Sequence, residues 1–232
     1  MSDKIINFYE KLPKHLKSET KLDKHFKQHY ILPNSMVCII GGSGAGKTNA
    51  ILNWLSRCSE KFYDIIIFNA NSTNEPLYNL LKEKIPEIQE YNDINELPDL
   101  KSFEEDKKNE KLLIVDDFIN LPKKDMKKIL DYLIAGRKSS FTVICQSQNY
   151  TSIPKTIVRN IHYFLLFRLN DNISINNIIR NHNVDNVDKE TFKRLYLDAT
   201  AEPLNFFMLD LRGKPETRLR KNFTQFYNVS IQ

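Results

Sequence analysis

The chain lacks the features that mark membrane and secreted proteins. No apolar run among its 232 residues approaches the ~20 residues needed to cross a bilayer. Its first segment, MSDKIINFYEKLPKHLK, has no apolar core and no small-residue cleavage site, so we expect no secretory signal. Cysteine is scarce: Cys38, Cys58 and Cys145 are widely spaced and form no CxxC pair. These absences predict a reduced, intracellular protein without a membrane span.

Strong charge of one sign is also lacking, since the net charge is only +5. The basic excess is concentrated at two places: residues 1–33 carry seven lysines against four acidic residues, and residues 212–222 carry five basic residues against Glu216 alone. Such segments attract polyanions or are solvated surface, and charge alone leaves both interpretations open. Because internal repeats and low-complexity linkers are absent, we predict one domain over residues 31–211, a basic extension at 1–30 and a basic tail at 212–232.

Short apolar runs alternate with helical patterns, which predicts an α/β domain with a mainly parallel sheet. Met36–Ile40 is apolar at every position, as expected of a strand buried on both faces. Residues 86–110, rich in Pro, Asn, Asp, Glu and Lys, are predicted to be a surface excursion. The predicted strands are 36–40, 64–69, 111–115, 141–145, 163–169 and 204–211, and the predicted helices are 49–57, 76–85, 122–135, 153–160, 173–181 and 188–197.

A glycine-rich loop follows the first strand and fits the pattern G-x-x-x-x-G-K-[ST]. Its glycines allow a tight turn whose backbone N–H groups point at phosphate oxygens, and the helix that follows adds a favourable dipole for an anion. In this pattern Lys47 reaches the β- and γ-phosphates, and the Thr48 hydroxyl ligates Mg²⁺. We therefore interpret residues 31–211 as a P-loop ATPase domain that binds ATP with Mg²⁺. The loop consists of Gly41, Gly42, Ser43, Gly44, Ala45, Gly46, Lys47 and Thr48.

Two adjacent acids, Asp116 and Asp117, directly follow the apolar run 112–115. An acid at the carboxyl end of a buried strand matches the second Mg²⁺-holding carboxylate of P-loop NTPases, so we assign Asp116 to the metal. Asp117 is assigned to activation of the attacking water, with a helix cap or a solvent-facing acid as the alternative. The additional strand 64–69, between the phosphate-loop strand and the Asp116 strand, indicates the P-loop branch that activates water with an adjacent acid.

Two further polar residues are predicted to complete the catalytic site. Gln146 ends the fourth predicted strand, where its amide would hydrogen-bond the γ-phosphate or the attacking water; a harmless strand cap is the alternative. Arg137 precedes that strand and is predicted to be an arginine finger offered to the ATP of a neighbouring subunit, with an exposed surface arginine as the alternative. Arg159 and Arg168 are weaker candidates for the same role.

Four segments occur in the order GGSGAGKT, LLIVDDF, GRKSSFTVICQSQNYTSIPKTIVRN and YFLLFR. They resemble the poxvirus-type genome-packaging ATPases, which belong to the FtsK–HerA superfamily and occur in large DNA viruses and virophages. The stretch 146–160 is the least generic part, and the later LYLDATAEPLNFFMLDL is similar to the family's closing helix and strand. The resemblance covers roughly residues 30–211.

The resemblance implies a three-layer α/β/α P-loop NTPase fold with an additional strand between the Walker A and Walker B strands. It also implies a homo-oligomeric ring, a hexamer or a pentamer, that drives double-stranded DNA into a preformed capsid without reading its sequence. By position, Asp116 serves the metal, Gln146 is the sensor and Arg137 is the finger between subunits. Asp117 takes the water-activating place, although many superfamily members have glutamate there.

The leading hypothesis is therefore an ATP-hydrolysing, double-stranded DNA translocase that packages a viral genome, with capsid proteins as partners and no membrane span. We expect it in the host cytoplasm or viral factory, with virion association as an open alternative. A nucleotide kinase-type phosphotransferase is a second hypothesis, but it requires a basic lid and an acceptor pocket that the sequence does not identify. A nucleotide-gated scaffold with little turnover is a third, and intact Lys47, Thr48 and Asp116 argue against it.

Overall fold

The computed structural model describes residues 6–8, 10–13, 22–59, 62–70, 75–106, 108–116, 118–182, 184 and 187–228, except for the side chains of Asn120 and Lys123. Within these ranges the chain forms one sheet of nine strands. The strands are β1 (Met36–Ile40), β2 (Asp64–Asn69), β3 (Gln89–Tyr91), β4 (Lys111–Asp116), β5 (Phe141–Ser147), β6 (Tyr163–Leu166), β7 (Phe207–Asp210), β8 (Leu219–Lys221) and β9 (Gln225–Phe226). Their order across the sheet is β3-β2-β4-β5-β1-β6-β7-β8-β9.

The first six strands pair in parallel, and the last three continue the sheet in antiparallel pairs. All five residues of β1 are buried, as the apolar run predicted, because helices cover both faces of a parallel sheet. The predicted mainly parallel α/β sheet is thus confirmed. Both β6 and β7 are shorter than predicted: β6 ends at Leu166, and β7 begins only at Phe207.

The strand that separates the phosphate-loop strand from the Asp116 strand along the chain is not the strand that separates them in the sheet. Along the chain that strand is β2, but in the sheet it is β5, which pairs with β1 on one side and β4 on the other. β2 lies on the outer side of β4. The additional strand of the fold is therefore Phe141–Ser147, and the sequence-based assignment of that role to residues 64–69 was wrong. As a consequence, Gln146 lies between the phosphate loop and Asp116.

Helices pack on both faces of the sheet and create two separate cores. One core holds buried residues of the two helices that begin at Lys47 and Pro76, with Ile39, Ile114 and Phe206. The other holds buried residues of the four later helices, with Cys38, Val115 and Phe207. Among the residues described, no helix is long and apolar enough to cross a membrane. The helices are α1 (Lys47–Leu55), α2 (Pro76–Lys84), α3 (Lys123–Ala135), α4 (Lys155–Val158), α5 (Asn172–Asn181) and α6 (Lys189–Ala199).

Three short strands occur where the sequence predicted no regular structure. β3 lies inside the predicted surface excursion and pairs with β2 at the sheet edge. β8 and β9 lie beyond residue 211 and pair with β7 and with each other. Arg220 of β8 is fully buried and forms an ion pair with Asp210. Its guanidinium carbon also lies 5.3 Å from the centroid of the Tyr30 ring. This arginine therefore serves the fold, and it is not available to a polyanion.

Candidate nucleotide-binding site

The phosphate loop connects the end of β1 to the start of α1. Gly44 and Gly46 have φ values of 73° and 98°, in the left-handed region that favours glycine. At Gly41 a side chain is excluded by close packing, since a Cβ atom there would lie 2.7 Å from Phe167 Cβ. The sequence thus places glycine at the positions where the turn and the packing require it.

The first turn of α1 offers the groups that bind phosphate. Gly46 precedes the helix and provides no side-chain cap, so the helix N-terminus keeps backbone N–H groups directed at the loop. Lys47 Nζ donates to Gly41 O at 2.9 Å and to Gly42 O at 3.1 Å, which holds the ammonium group over the loop. The predicted loop residues therefore lie together around one concave turn.

Asp116 and Gln146 lie at the carboxyl edge of the sheet and are joined by a tyrosine from α2. The Tyr78 hydroxyl donates to Asp116 Oδ2 at 3.1 Å, and Gln146 Nε2 donates to the same hydroxyl at 2.6 Å. The side chains of Tyr78 and Gln146 are each 1% exposed. Tyr78 is therefore the shared partner of two residues that the sequence analysis assigned independently.

The Tyr78 hydroxyl also interacts with Thr48, the predicted metal ligand of the loop. Burial raises the pKa of Tyr78 well above its ordinary value, the nearby Asp116 carboxylate raises it further, and a hydrogen bond with Thr48 acts in the opposite direction. The hydroxyl consequently stays protonated at neutral pH and keeps its hydrogen for Asp116. The Tyr78 hydroxyl thus connects the β4 acid and the β5 amide, close to the Thr48 hydroxyl of the loop.

The carbonyl oxygen of the Gln146 side chain is buried and has no hydrogen-bond partner among the described residues. Because the Tyr78 hydrogen goes to Asp116, the Gln146 amide must face Tyr78 with its NH₂ group, which leaves Oε1 free. An unpaired buried polar atom costs free energy of about 1–3 kcal/mol. This oxygen is therefore a candidate acceptor for a hydrogen bond from a ligand.

Sequence reasoning missed Tyr78. Pro76 at the first turn correctly predicted the helix, and Glu75 accepts a hydrogen bond from Leu77 N at 3.3 Å at its N-terminus. A tyrosine on the apolar face of such a helix normally indicates a core residue rather than a site residue. The only available signal was that a buried tyrosine hydroxyl needs a partner, and the sequence does not show which residue provides it.

The three arginine candidates lie at different places. Arg137 lies in a short 3-10 turn before β5, so it is at the amino edge of the sheet and exposed. Its own chain's Gln146 is almost a full strand away, ~17 Å at ~3.3 Å per residue along β5. Arg159 precedes β6 at the same amino edge, whereas Arg168 follows β6 at the carboxyl edge; both are exposed. Asp117, the predicted water-activating residue, lies outside the described residues.

A second cluster of possible metal ligands, Asp23, His29 and Cys58, lies at the amino edge. His29 Nδ1 accepts a hydrogen bond from Ile31 N at 3.1 Å, so the ring hydrogen is on Nε2, which lies 3.7 Å from Asp23 Oδ1. Burial lowers the pKa of His29, which keeps the ring neutral. The lone pair of Nδ1 is then used by Ile31 N–H, and Nε2 carries the ring hydrogen without a hydrogen-bond partner among the described residues, so this tautomer has no lone pair left for a metal. This cluster is explained as a structural contact between histidine and carboxylate.

The parallel sheet, the phosphate loop after its β1 strand and the acid at the end of β4 define a P-loop NTPase. Comparison with family models makes this class specific: the model described as poxvirus A32 protein matches residues 23–202, and the chain belongs to that family. The resemblance to poxvirus-type genome-packaging ATPases is thereby confirmed. Comparison with curated protein sequences gave no significant match.

Solved structures of low sequence identity share the fold. The chain is similar to B204, the DNA-packaging ATPase of Sulfolobus turreted icosahedral virus, with 17% identity and a TM-score of 0.57 over 82% of this chain and 97% of B204. It is similar to B204 of Sulfolobus turreted icosahedral virus 2 in complex with ATPγS, with 14% identity and a TM-score of 0.55 over 82% and 97%. The pCW3 conjugation coupling protein TcpA with ATPγS gives 12% identity and a TM-score of 0.55 over 84% and 62%.

Proposed function

We propose that the chain is an ATP-hydrolysing motor that moves double-stranded DNA and packages a viral genome into a capsid. The observation that carries this proposal is the buried network in which Tyr78 joins Asp116 to Gln146 beside the phosphate loop. A buried polar atom costs free energy unless it is paired, and Gln146 Oε1 has no partner among the described residues, which favours a ligand at this site. Membership of the A32 family supports packaging, and the fold relatives bound to ATPγS support ATP as the nucleotide.

The residues at the carboxyl edge fit a magnesium-bound triphosphate. Mg²⁺ prefers oxygen ligands, and the Thr48 hydroxyl and the Asp116 carboxylate would hold it directly or through water. When held by these residues, the ion would neutralise charge on the phosphate oxygens. The loop N–H groups and the Lys47 ammonium would bind those phosphates, because both present hydrogen-bond donors to the same turn. The Tyr78 hydroxyl would keep the Asp116 carboxylate oriented toward the ion.

Two residues would complete the hydrolytic step. Gln146 Oε1, which has no partner among the described residues, would accept a hydrogen bond from the attacking water, or from a water held against the γ-phosphate, and so sense whether the γ-phosphate is present. Asp117 takes the proton of the attacking water, as the family resemblance implies. Replacing Asp117 by alanine should keep nucleotide binding and stop hydrolysis. The measurement is single-turnover hydrolysis beside equilibrium ATP binding, and normal hydrolysis in the variant would refute the assignment.

Arg137 is proposed to serve the ATP of a neighbouring subunit. It lies at the amino edge, a strand length from its own phosphate loop, so it cannot reach the γ-phosphate within one chain. In a ring of five or six identical subunits, the amino-edge turn of one subunit would face the carboxyl edge of the next. An arginine supplied in this way stabilises charge on the transferring phosphoryl group.

DNA would be held through its phosphates rather than its bases. Transport along a genome requires contacts that are independent of sequence, and lysine and arginine contacts to phosphate have this property. Such binding weakens as salt rises, because the entropy gained by releasing condensed counterions from DNA falls as the salt concentration of the solution increases. The proposed coupling therefore predicts an ATPase activity that duplex DNA stimulates and that salt suppresses.

The test is an ATPase assay of the purified chain with and without duplex DNA at several salt concentrations, paired with a mass measurement of the assembly. We expect DNA-stimulated turnover, a stimulation that falls with salt, and a mass of five or six subunits. The Lys47→Ala variant is the control for contaminating ATPases. Turnover that ignores DNA and salt would refute translocation. Phosphate transfer only when a nucleoside monophosphate acceptor is added would instead support the nucleotide kinase.

A further inference from the structure

The phosphate loop has two flanks, and only one of them contains the network described above. β5 and β4, with Gln146 and Asp116, lie on one side of β1; β6 and β7 lie on the other. A triphosphate whose γ-end faces Asp116 must direct its α-phosphate, and the nucleoside attached to it, toward the β6 and β7 flank. On that flank Phe167 packs against Gly41, and Leu204 packs against Gly46.

Leu204 has an unusual backbone conformation. It is the third residue of the turn Glu202–Asn205, which Asn205 N closes by donating to Glu202 O at 3.3 Å. Its φ is 66°, a value that glycine or asparagine normally supplies at this turn position, while Pro203 fits the position before it. A branched apolar residue is strained there, and strain of this kind is characteristic of ligand sites.

Burial of the Leu204 side chain does not compensate for the backbone strain, since 55% of the residue is exposed. It nevertheless lies directly on the loop: a Cβ atom on Gly46 would be 2.7 Å from Leu204 Cδ2. Hydrogen bonds fix the turn in this position, because Asn222 Nδ2 donates to Asn205 Oδ1 at 2.9 Å and Asn222 Oδ1 accepts from Phe206 N at 3.1 Å. The strained leucine therefore presents a rigid apolar surface beside the phosphate site.

We propose that Leu204, on the rigid Glu202–Asn205 turn, is the base subsite of this protein and contacts the flat face of a purine nucleobase. The inference rests on the proposed function, since it assumes a nucleoside triphosphate on the loop. An apolar side chain covers the face of an aromatic ring without reading its hydrogen-bonding edge. The subsite consequently distinguishes a nucleotide from inorganic polyphosphate, and it contributes little to the distinction between adenine and guanine.

The test compares two ligands that share the phosphates but not the base: magnesium ATPγS and magnesium tripolyphosphate. Leu204→Gly removes the apolar surface and relieves the strain, whereas Leu204→Ala removes the surface and keeps the strain. Both variants should bind ATPγS about five- to tenfold more weakly, as expected when the exposed part of a leucine no longer contacts a ligand. Their affinity for tripolyphosphate should change less than about twofold by the same measure.

The matched control is Leu197→Ala on α6, which removes another half-exposed leucine, 46% exposed, away from the loop. It should leave both affinities unchanged. Thermal denaturation separates strain from binding, since Leu204→Gly should be at least as stable as the wild type. If both variants bound ATPγS and tripolyphosphate equally more weakly, the proposal would be overturned, because Leu204 would then only shape the phosphate loop. An unchanged affinity for ATPγS would overturn it as well. A wild-type chain that binds neither ligand would refute the proposed function and the subsite together.

Discussion

The two edges of the central sheet are built on opposite principles. At the carboxyl edge, the buried side chains of Tyr78 and Gln146 and the half-buried side chain of Asp116 hydrogen-bond in a chain, and Gln146 Oε1 has no partner among the described residues. At the amino edge, polar side chains tie segments of the fold together: His162 Nδ1 accepts from Met36 N at 2.9 Å, and Arg212 donates to the side-chain oxygen Oγ of Ser35 at 2.9 Å. In the proposed function the first edge binds the ligand, whereas the second closes the fold and leaves Arg137 exposed at its surface.

The largest expected effect is at the carboxyl edge. Lys47→Ala removes the ammonium group that the loop holds in place, so binding of magnesium ATP and turnover should both fall to background. Equilibrium binding of a fluorescent ATP analogue and phosphate release are the measurements. Lys124→Ala, an exposed lysine on α3, is the control and should match the wild type. Near-normal binding by Lys47→Ala would show that the loop is not the phosphate site.

The next effect tests whether the amino edge contributes to catalysis from another subunit. Arg137→Ala should lower turnover by about 10³-fold while nucleotide binding is kept, because an arginine finger acts in the transition state. Lys138→Ala, at the neighbouring exposed position, should have little effect. Mixing Arg137→Ala with Lys47→Ala protein should partly restore activity, since some interfaces then pair an intact loop with an intact arginine. Mixed rings without recovered activity would place Arg137 outside the neighbour's site.

A smaller effect is expected from the shared partner of the network. Tyr78→Phe removes the donor to Asp116 and leaves the Gln146 amide unpaired, so turnover should fall about tenfold and the Mg²⁺ concentration for half-maximal turnover should rise. Tyr132→Phe is the matched control, because Tyr132 is equally buried and its hydroxyl donates to Pro98 O at 2.9 Å, away from the loop. If both variants lose stability alike and neither changes the Mg²⁺ dependence, Tyr78 has only a structural role.

The smallest effect concerns stability at the amino edge. Burial and the charges of Arg212 and Arg137 lower the pKa of His162 from 6.5 to about 4. Because the native state binds the proton more weakly than the unfolded state does, this stabilisation is complete above pH 6.5 and is lost as pH falls toward 4. The full shift would correspond to on the order of 3 kcal/mol, and the loss is smaller than that because the ring is partly exposed and solvent screens the neighbouring charges.

Urea unfolding at pH 7.5 and pH 4.5 measures this loss. His162→Gln should flatten the dependence of unfolding free energy on pH, although His182, whose pKa is also lowered to about 4, continues to contribute. His25→Gln at an exposed position should leave the dependence unchanged. An unaltered pH profile in His162→Gln would show that the hydrogen bond to Met36 N does not require a neutral ring.

Local patterns predicted the residues whose roles depend on chain neighbours. The loop Gly41–Thr48 and the acid after Leu112–Val115 follow from spacing alone, because a strand, a glycine turn and a helix N-terminus make a phosphate site within one short segment. Gln146 was identified because parallel strands end at one edge. Tyr78 was not identified, since its partners lie 38 and 68 residues away along the chain.

Charge patterns were less informative than apolar patterns. Arg220 was predicted to belong to a basic tail, but the ion pair with Asp210 buries it within an antiparallel addition to the sheet. A basic residue in a short segment gives no sign of whether a distant carboxylate will pair with it. The same limit applies to Leu204, whose strained turn acquires meaning only from its contact with Gly46.

The sequence by itself determined the class of protein, the phosphate loop and the acid opposite it, because each is encoded by residues adjacent in the chain. Only the tertiary structure decided which strand separates loop from acid, which side chain connects them, and at which edge Arg137 lies. Those features depend on strand order and on contacts between distant segments, and a strand's position in a sheet is set by packing that no local pattern records.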